Sequence, residues 1–197
     1  MSLSKGESTR RMILDRGLAT ASLVGLEGLS LGEMARDVGM SKSGLFAHFS
    51  SKENLQLQVL ETAIEQFVDQ VVAPALRYPR GEPRVRALFE KWLAWSISEA
   101  MPGGCIFIAT ANEFDDRPGP LRDRLVASQR DWLSALATAA RIAVEEGHFR
   151  TDLDTEQFAY DLYSIALANH HFHRLLNDPA AFDRARRSFE RLIENSH

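Results

Sequence analysis

Apolar side chains recur at helical spacing along almost the whole chain, and no segment of useful length alternates apolar and polar residues as a strand does. A first helix is predicted from Ser8 to about Val24. A long helix follows from Lys52 into the low seventies and ends in a segment rich in proline. The inward positions of the first helix are Ile13, Leu14, Gly17, Leu18 and Ala21, those of the long helix are Leu55, Val59, Ala63, Phe67 and Val71, and the break contains Pro74, Pro79, Gly81 and Pro83.

The second half of the chain continues the same pattern. One helix ends near Pro102-Gly103-Gly104, and a short apolar segment, Cys105 to Phe114, follows it. The pattern predicts an all-α fold of about nine helices. The faces that support this are Leu88, Trp92, Trp95 and Glu99; Leu121, Leu125, Ser128, Trp132, Leu136 and Ala139, up to Gly147; Phe158, Leu162, Ile165, Asn169, Phe172 and Leu176; and Phe182, Ala185, Phe189, Leu192 and Ile193.

Residues 30–53 carry the most informative local pattern. Ser30 and Glu33 stand three apart, as in a capping box, ahead of apolar positions at helical spacing. Gly39 suits the left-handed residue that ends a helix, and Ser41 can cap the next one. That second helix is only about two turns long, and a third helix begins near Lys52. Helix, tight turn and short helix in this order predict a helix-turn-helix that reads DNA.

This segment resembles the N-terminal domain of the TetR (tetracycline repressor-like) regulators, from Thr9 to about Leu60. Two positions depart from the family: Phe46 stands where Tyr is usual, and Ala21 where a large aromatic residue is usual. The resemblance implies a three-helix DNA-binding domain in residues 1–52 and a helical ligand-binding and dimerisation domain in residues 53–197. The matching positions are Thr9-Arg10, Ile13-Leu14, Gly25, Ser30, Ala35, Gly39-Met40-Ser41, Gly44-Leu45-Phe46, His48-Phe49, Ser51-Lys52-Glu53 and Leu55.

Side chains at the start of the second motif helix are expected to enter the major groove. Lys42 can donate to guanine, and Ala47 is small enough to meet a thymine methyl group. His48 and Lys52 are expected at phosphates, and Arg10 or Arg11 could contact the DNA backbone from the first helix. Leu45, Phe46 and Phe49 are assigned to the core, with Phe46 against the sugar-phosphate backbone as the alternative. The candidate DNA-binding residues are Arg10, Ser41, Lys42, Ser43, Gly44, Phe46, Ala47, His48 and Lys52.

Charge by itself does not indicate nucleic acid, because the net charge is −4. Residues 1–60 hold seven Lys and Arg against six Asp and Glu, so the acidic excess lies in the rest of the chain. Nonspecific DNA binding should therefore be modest and strongly salt-dependent. The start of the chain lacks the apolar run of a signal peptide, and a single cysteine suits a reducing compartment, so the protein is expected to be cytoplasmic, with no membrane partner.

Aromatic residues of the second domain fall on helices that would surround a central cavity. A cavity lined by aromatic rings and a few polar groups suits a largely apolar ligand. Ordinary core packing is the alternative for each residue, and the resemblance favours a ligand cavity for the set. The candidate ligand-binding residues are Trp92, Trp95, Phe107, Phe114, Trp132, Tyr163 and His170, and Phe172 is expected on the same cavity.

Other chemistry receives little support. Cys105 is expected to be buried and inert rather than a redox sensor. His170, His171 and His173 lack a carboxylate or cysteine at helical spacing, so neither a metal nor a cofactor is predicted. The motifs of serine hydrolases, zinc proteases, phosphate-binding loops and di-iron bundles are absent, so the chain is not expected to be an enzyme.

The resemblance implies a homodimer formed through the last two helices, at about residues 155–194. Such a dimer would bind a palindromic double-stranded DNA operator and be released by a small-molecule effector, with repression as the expected sign. The alternative is a helical small-molecule carrier or interaction module whose N-terminal DNA-binding domain is vestigial. A hydrolase would be favoured only if one of the three clustered histidines faced a carboxylate in a cleft.

Overall fold

The computed structural model describes residues 5–197, and all regular structure in that range is helical. This confirms the predicted all-α fold and the predicted number of helices. None of these helices combines the length and the apolar composition needed to cross a bilayer. Helix α4 continues beyond its regular part through a π-helical segment, Val68–Val72, and a final turn, Ala73–Ala75. The nine helices of the described range are α1 (Lys5–Val24), α2 (Leu31–Asp37), α3 (Lys42–Phe49), α4 (Lys52–Phe67), α5 (Glu82–Trp95), α6 (Ile106–Phe114), α7 (Pro120–Glu145), α8 (Thr155–Arg174) and α9 (Ala181–Glu194).

The chain forms two compact units. The first contains the described residues up to Gln66 together with Ile97–Val126, and the second contains Phe67–Ser96 and Ala127–His197. Helix α6 therefore belongs to the same unit as α1, α2 and α3. The predicted domain boundary between residues 52 and 53 falls inside the first unit, and it stays a prediction.

The core of the first unit is built from the inward faces of the helices that the apolar spacing predicts. Ile13, Leu18 and Leu45 are fully buried, and Met34 and Phe49 are nearly so. Burying each such side chain contributes about 1.5–3 kcal/mol relative to leaving it in water. The short helices α2 and α3 therefore owe their stability mainly to this packing.

Local capping residues set the ends of α2 and α3 as predicted. The Ser30 hydroxyl accepts the backbone N–H of Glu33 at 3.1 Å and donates to the Glu33 carboxylate at 3.1 Å. Ser41 accepts the N–H of Gly44 at 3.1 Å. Gly39, between the two helices, has a φ of +68°, in the left-handed region that glycine adopts without strain. These contacts orient α3 relative to α2.

Two helix ends differ from the expectation. Helix α5 ends at Trp95, well before the glycine pair, because the chain turns after Ser96, whose hydroxyl donates back to the carbonyl of Leu93 at 2.7 Å. The end of α4 is π-helical: the N–H of Ala73 donates to the carbonyl oxygen of Val68, five residues back, instead of four. Pro74, which follows, has no N–H to donate.

In the second unit, α5 and α9 are joined by a stacked pair of rings, Phe89 and Phe189, whose centroids lie 4.0 Å apart. Two ion pairs flank the stack, between Arg86 and Glu190 and between Arg186 and Glu90. Because these ion pairs are substantially exposed, each adds at most about 1 kcal/mol, so the apolar stack dominates.

Candidate nucleic-acid interface

Helix α3 has one buried side and one exposed side. Leu45 and Phe49, one turn apart, are buried and attach the helix to the core. The opposite side is open to solvent, with Gly44 and His48 half-buried at its margins. We call this exposed surface the α3 face. It consists of Ser41, Lys42, Ser43, Phe46 and Ala47.

The assignment of Phe46 to the core is wrong, since 53% of its side chain is exposed. Leu45 and Phe49 already complete the buried side, and Phe46 follows Leu45 by about 100° around the helix. This step turns Phe46 away from the buried side. Phe46 also lies four residues, about one turn, after Lys42, and so shares the α3 face with it. An exposed aromatic ring there can lie against a sugar-phosphate backbone, which is the alternative that the sequence left open.

Arg10 is directed at the protein in this structure. Its guanidinium donates to the carbonyl oxygen of His48 at 2.8 Å and to the side-chain oxygen of Gln58, and it lies 5.1 Å from the centroid of the Phe49 ring. The carbonyl of His48 is at the C-terminal end of α3, where a positive charge is favourable. Arg10 thus ties α1 to the end of α3, and its predicted phosphate contact stays a prediction.

Lys52, at the start of α4, is paired within the first unit. Its ammonium group donates to the backbone carbonyl of Glu27 at 2.6 Å and to the Glu27 carboxylate at 3.2 Å. The hydrogen bond from Lys52 is the largest cause that lowers the pKa of Glu27 below its ordinary value. Both side chains are about half exposed, so a phosphate could compete with Glu27 for the ammonium group.

A second carboxylate, on α6, contacts the same turn. Glu113 accepts the backbone N–H of Glu27 at 3.2 Å, and a Cβ added at Gly25 would lie only 1.4 Å from Oε1 of Glu113. Burial raises the pKa of Glu113, although hydrogen bonds from the backbone of Glu27 and Leu26 oppose this. Helix α6 is therefore attached to the turn that also holds Lys52. The sequence carried no signal for this contact, because the partners are 86 positions apart.

Four of the predicted ligand-binding residues form one aromatic cluster in the second unit. The rings of Trp92 and Trp132 meet edge to face at 5.4 Å, and Tyr163 lies 5.5 Å from Trp92. Phe67 joins the cluster, with its ring 4.8 Å from Trp132 and 5.0 Å from Trp95. The hydroxyl of Tyr163 donates to the side-chain oxygen of Gln129 at 2.6 Å. We call these five rings the aromatic cluster.

The other predicted ligand-binding residues lie elsewhere. Phe107 and Phe114 are buried on α6, in the first unit. His170 is half-buried on α8, and burial, followed by the charge of Arg174, lowers its pKa. Phe172 is 37% exposed and lines a groove between α8 and α9, and its expected place on the ligand cavity stays a prediction. Cys105 is buried, as expected.

Comparison with known proteins agrees with this architecture. Residues 13–59 match the family model described as "Bacterial regulatory proteins, tetR family". Residues 81–189, more than half of the chain, match the model described as "Tetracyclin repressor-like, C-terminal domain". The chain belongs to the TetR family. It is therefore a TetR-family transcriptional regulator, and the resemblance inferred from its first sixty residues is confirmed.

Solved structures share the fold over most or all of the chain. A regulator from Cytophaga hutchinsonii superposes with a TM-score of 0.87 at 21% identity, covering 100% of this chain and 98% of that one. A regulator from Chloroflexus aurantiacus gives 0.86 at 21% identity, covering 98% and 96%. AibR, solved in complex with isovaleryl coenzyme A and operator DNA, gives 0.68 at 22% identity, covering 82% and 85%. No curated protein matches the sequence significantly.

Proposed function

We propose that this TetR-family regulator binds a palindromic DNA operator as a homodimer and acts as a repressor that a small, largely apolar molecule releases. Residues 1–52 form the DNA-binding part of this proposal, and residues 53–197 form the effector-binding and dimerisation part. The single observation that carries it is the α3 face. A two-turn helix, capped by Ser41 and anchored by Leu45 and Phe49, presents its polar and small residues to solvent.

The α3 face suits direct reading of DNA. Lys42, at the first turn, can donate to guanine O6 or N7, and Ala47 leaves room for a thymine methyl group. Ser43 and Gly44 allow the helix to approach the bases closely. His48, at the margin of the face, and Lys52, at the start of α4, are the candidates for phosphate contacts.

An exposed apolar stripe on α8 supports the homodimer. Tyr160 and Leu167 lie seven residues apart on one side of α8, and Phe172, Leu175 and Leu176 extend the exposed apolar surface around its C-terminal end. Apolar side chains this exposed, in a row, are typical of a protein interface. The stripe consists of Tyr160 (66% exposed), Leu167 (41%), Phe172 (37%), Leu175 (68%) and Leu176 (54%).

A groove of about 350 Å³ between α8 and α9 adjoins this stripe and is lined largely by small side chains. Asn169 also lines the groove; it is 6% exposed, and its side-chain oxygen accepts no hydrogen bond from any described residue. A second copy of the chain would fill the groove and supply a donor to Asn169, since buried polar atoms are normally paired. The small side chains that line the groove are those of Ser164, Ala168, Ala181, Ala185 and Ser188.

The effector part of the proposal rests on the aromatic cluster and on the attachment of α6 to the Glu27 turn. A ligand can release DNA only if it prefers the conformation that does not bind DNA. Contacts from Glu113 to the turn beside Lys52 provide a physical link between α6 and the DNA-binding helices. AibR, with the same fold, has been solved with both an acyl coenzyme A and operator DNA, which supports the general scheme.

The DNA claim is tested by selecting a duplex from a random pool and measuring its binding by fluorescence anisotropy over a salt series. Replacing Lys42→Ala should weaken specific binding by about 1–3 kcal/mol, while Lys91→Ala, far from α3 in the sequence, should leave it unchanged. Selection that returns no preferred sequence would overturn the proposal.

The dimer claim is tested by sedimentation equilibrium. Leu167→Glu, within the stripe, should shift the protein toward monomer because it places a charge in a desolvated contact. Leu76→Glu, at a comparably exposed leucine outside the stripe, is the matched control and should leave the mass unchanged. A monomeric wild-type protein at micromolar concentration would contradict the homodimer.

A further inference from the structure

The aromatic cluster contains a hydrogen-bond donor that the second unit does not use. Trp132 is 8% exposed, its indole nitrogen is buried, and the indole N–H donates to no acceptor among the described residues. A buried N–H without an acceptor is costly and rare in folded proteins. The donor therefore marks a position where an acceptor from outside the chain would be stabilised.

The surroundings of this donor narrow the chemistry of that acceptor. The ring of Trp132 contacts Phe67 edge to face at 4.8 Å and Trp92 at 5.4 Å, and Tyr163 continues the row. Phe67, Trp92 and Trp132 are all buried apolar side chains. A flat or apolar ligand body gains free energy among such rings, and a small number of polar groups then fixes its orientation.

The backbone beside the cluster is irregular. Phe67 is the last residue of α4, and the π-helical segment Val68–Val72 begins immediately after it. Short π-helical segments inside α-helices occur frequently at functional sites, because they shift side chains out of the regular helical register. Here the segment lies directly next to a ring that contacts both Trp95 and Trp132.

We propose that the effector of this regulator is an apolar, preferably aromatic molecule with a carbonyl-type hydrogen-bond acceptor, and that the acceptor binds the indole N–H of Trp132. This deepens the proposed function and rests on it for the role of the ligand, but the binding site stands on the geometry of the cluster alone. A cation held by the ring faces is the rival ligand class, and it would leave the indole N–H without an acceptor.

The experiment uses the full-length protein and three probes that share a phenyl ring: acetophenone, isopropylbenzene and phenyltrimethylammonium. Acetophenone carries the acceptor, isopropylbenzene has a similar shape without it, and the third carries a positive charge. Binding is followed by NMR in protein labelled with ¹⁵N at tryptophan. The ¹H–¹⁵N spectrum then contains one indole N–H signal for each of the three tryptophans. Single Trp→Phe variants assign the signals.

Acetophenone should move the Trp132 indole proton downfield, and isopropylbenzene should not. In Trp132→Phe, the affinity for acetophenone relative to isopropylbenzene should fall by about fivefold, the equivalent of one net hydrogen bond. Trp92→Phe, which removes an indole from the same cluster, is the matched control and should keep the wild-type ratio.

Each contrary result overturns the proposal. These results are an unshifted Trp132 signal, the same ratio in wild type and Trp132→Phe, an equal fall in Trp92→Phe, tightest binding of phenyltrimethylammonium, or no binding of any probe. If Trp132→Phe does not fold, the proposal is tested by the wild-type protein alone: acetophenone should shift the Trp132 indole proton downfield, and isopropylbenzene should not. Operator binding measured without any probe separates this test from the proposed function, because DNA recognition and acetophenone binding can each fail alone.

Discussion

The ammonium group of Lys52 donates to the backbone carbonyl of Glu27 at 2.6 Å and to its carboxylate at 3.2 Å. Lys52 begins α4, and Glu27 lies in the turn between α1 and α2. In the same turn, the backbone N–H of Glu27 donates to the carboxylate of Glu113 on α6 at 3.2 Å. Lys52, which is proposed to bind a DNA phosphate, is thus held by Glu27, and the backbone of Glu27 is in turn hydrogen-bonded to Glu113 of α6.

Glu27→Gln should tighten DNA binding. The substitution removes the negative charge that competes with phosphate for Lys52 and leaves the backbone carbonyl in place. Because both side chains are about half exposed, the gain should be small, about twofold to fivefold at low salt, and should shrink as salt increases. Fluorescence anisotropy with the selected duplex measures it. Glu65→Gln, at an exposed position on α4, controls for net charge, and weaker binding by Glu27→Gln would contradict the competition.

Arg10 and Lys52 should differ in their effect on the salt dependence of DNA binding. If Lys52 binds a phosphate, Lys52→Met should reduce the slope of log K against log salt by about 0.9. Arg10→Met should weaken binding while leaving the slope unchanged, because its guanidinium positions the end of α3 through His48 and Phe49. It should also lower the free energy of unfolding by about 1–3 kcal/mol, measured in urea. A slope change of the same size in both variants would instead assign Arg10 to a phosphate.

Gly25→Ala should destabilise the protein by about 1–3 kcal/mol. Gly25 has a φ of +77°, and a Cβ there would displace the carboxylate of Glu113 from the turn. Gly32→Ala is the matched control in α2: its Cβ would meet nothing within 4 Å, and alanine favours the helix. Chemical denaturation measures both, and equal stability of the two variants would show that Glu113 moves aside without cost.

Stability should fall with acid partly through His170. Burial lowers the pKa of His170 in the folded protein below its ordinary value of about 6.5, so the unfolded chain binds more protons near that pH. The contribution of His170 is therefore complete above about pH 6.5 and is lost as the pH decreases toward the folded pKa. His170→Asn should flatten this part of the curve of unfolding free energy against pH. The neighbouring His171→Asn is the control, since His171 is exposed.

Much of the fold was predictable because its signals are local. A capping serine and its N–H partner lie three residues apart, as at Ser30 and Ser41, and apolar helical spacing repeats within one or two turns. The helix-turn-helix and its family could therefore be inferred from residues 9–60. The sequence identified most residues of the aromatic cluster as candidates because they are aromatic, but it did not predict which of their rings contact one another.

By itself, the sequence determined which segments are helical, the caps of α2 and α3 and most of the residues that face the core, since these depend on neighbours within about four positions. The tertiary structure alone decided which side chains meet across the chain. It placed Phe46 on the exposed side of α3, directed Arg10 at His48, and brought Glu113 of α6 to the turn after α1. Such contacts depend on how whole helices pack, and no local pattern encodes a partner far along the chain.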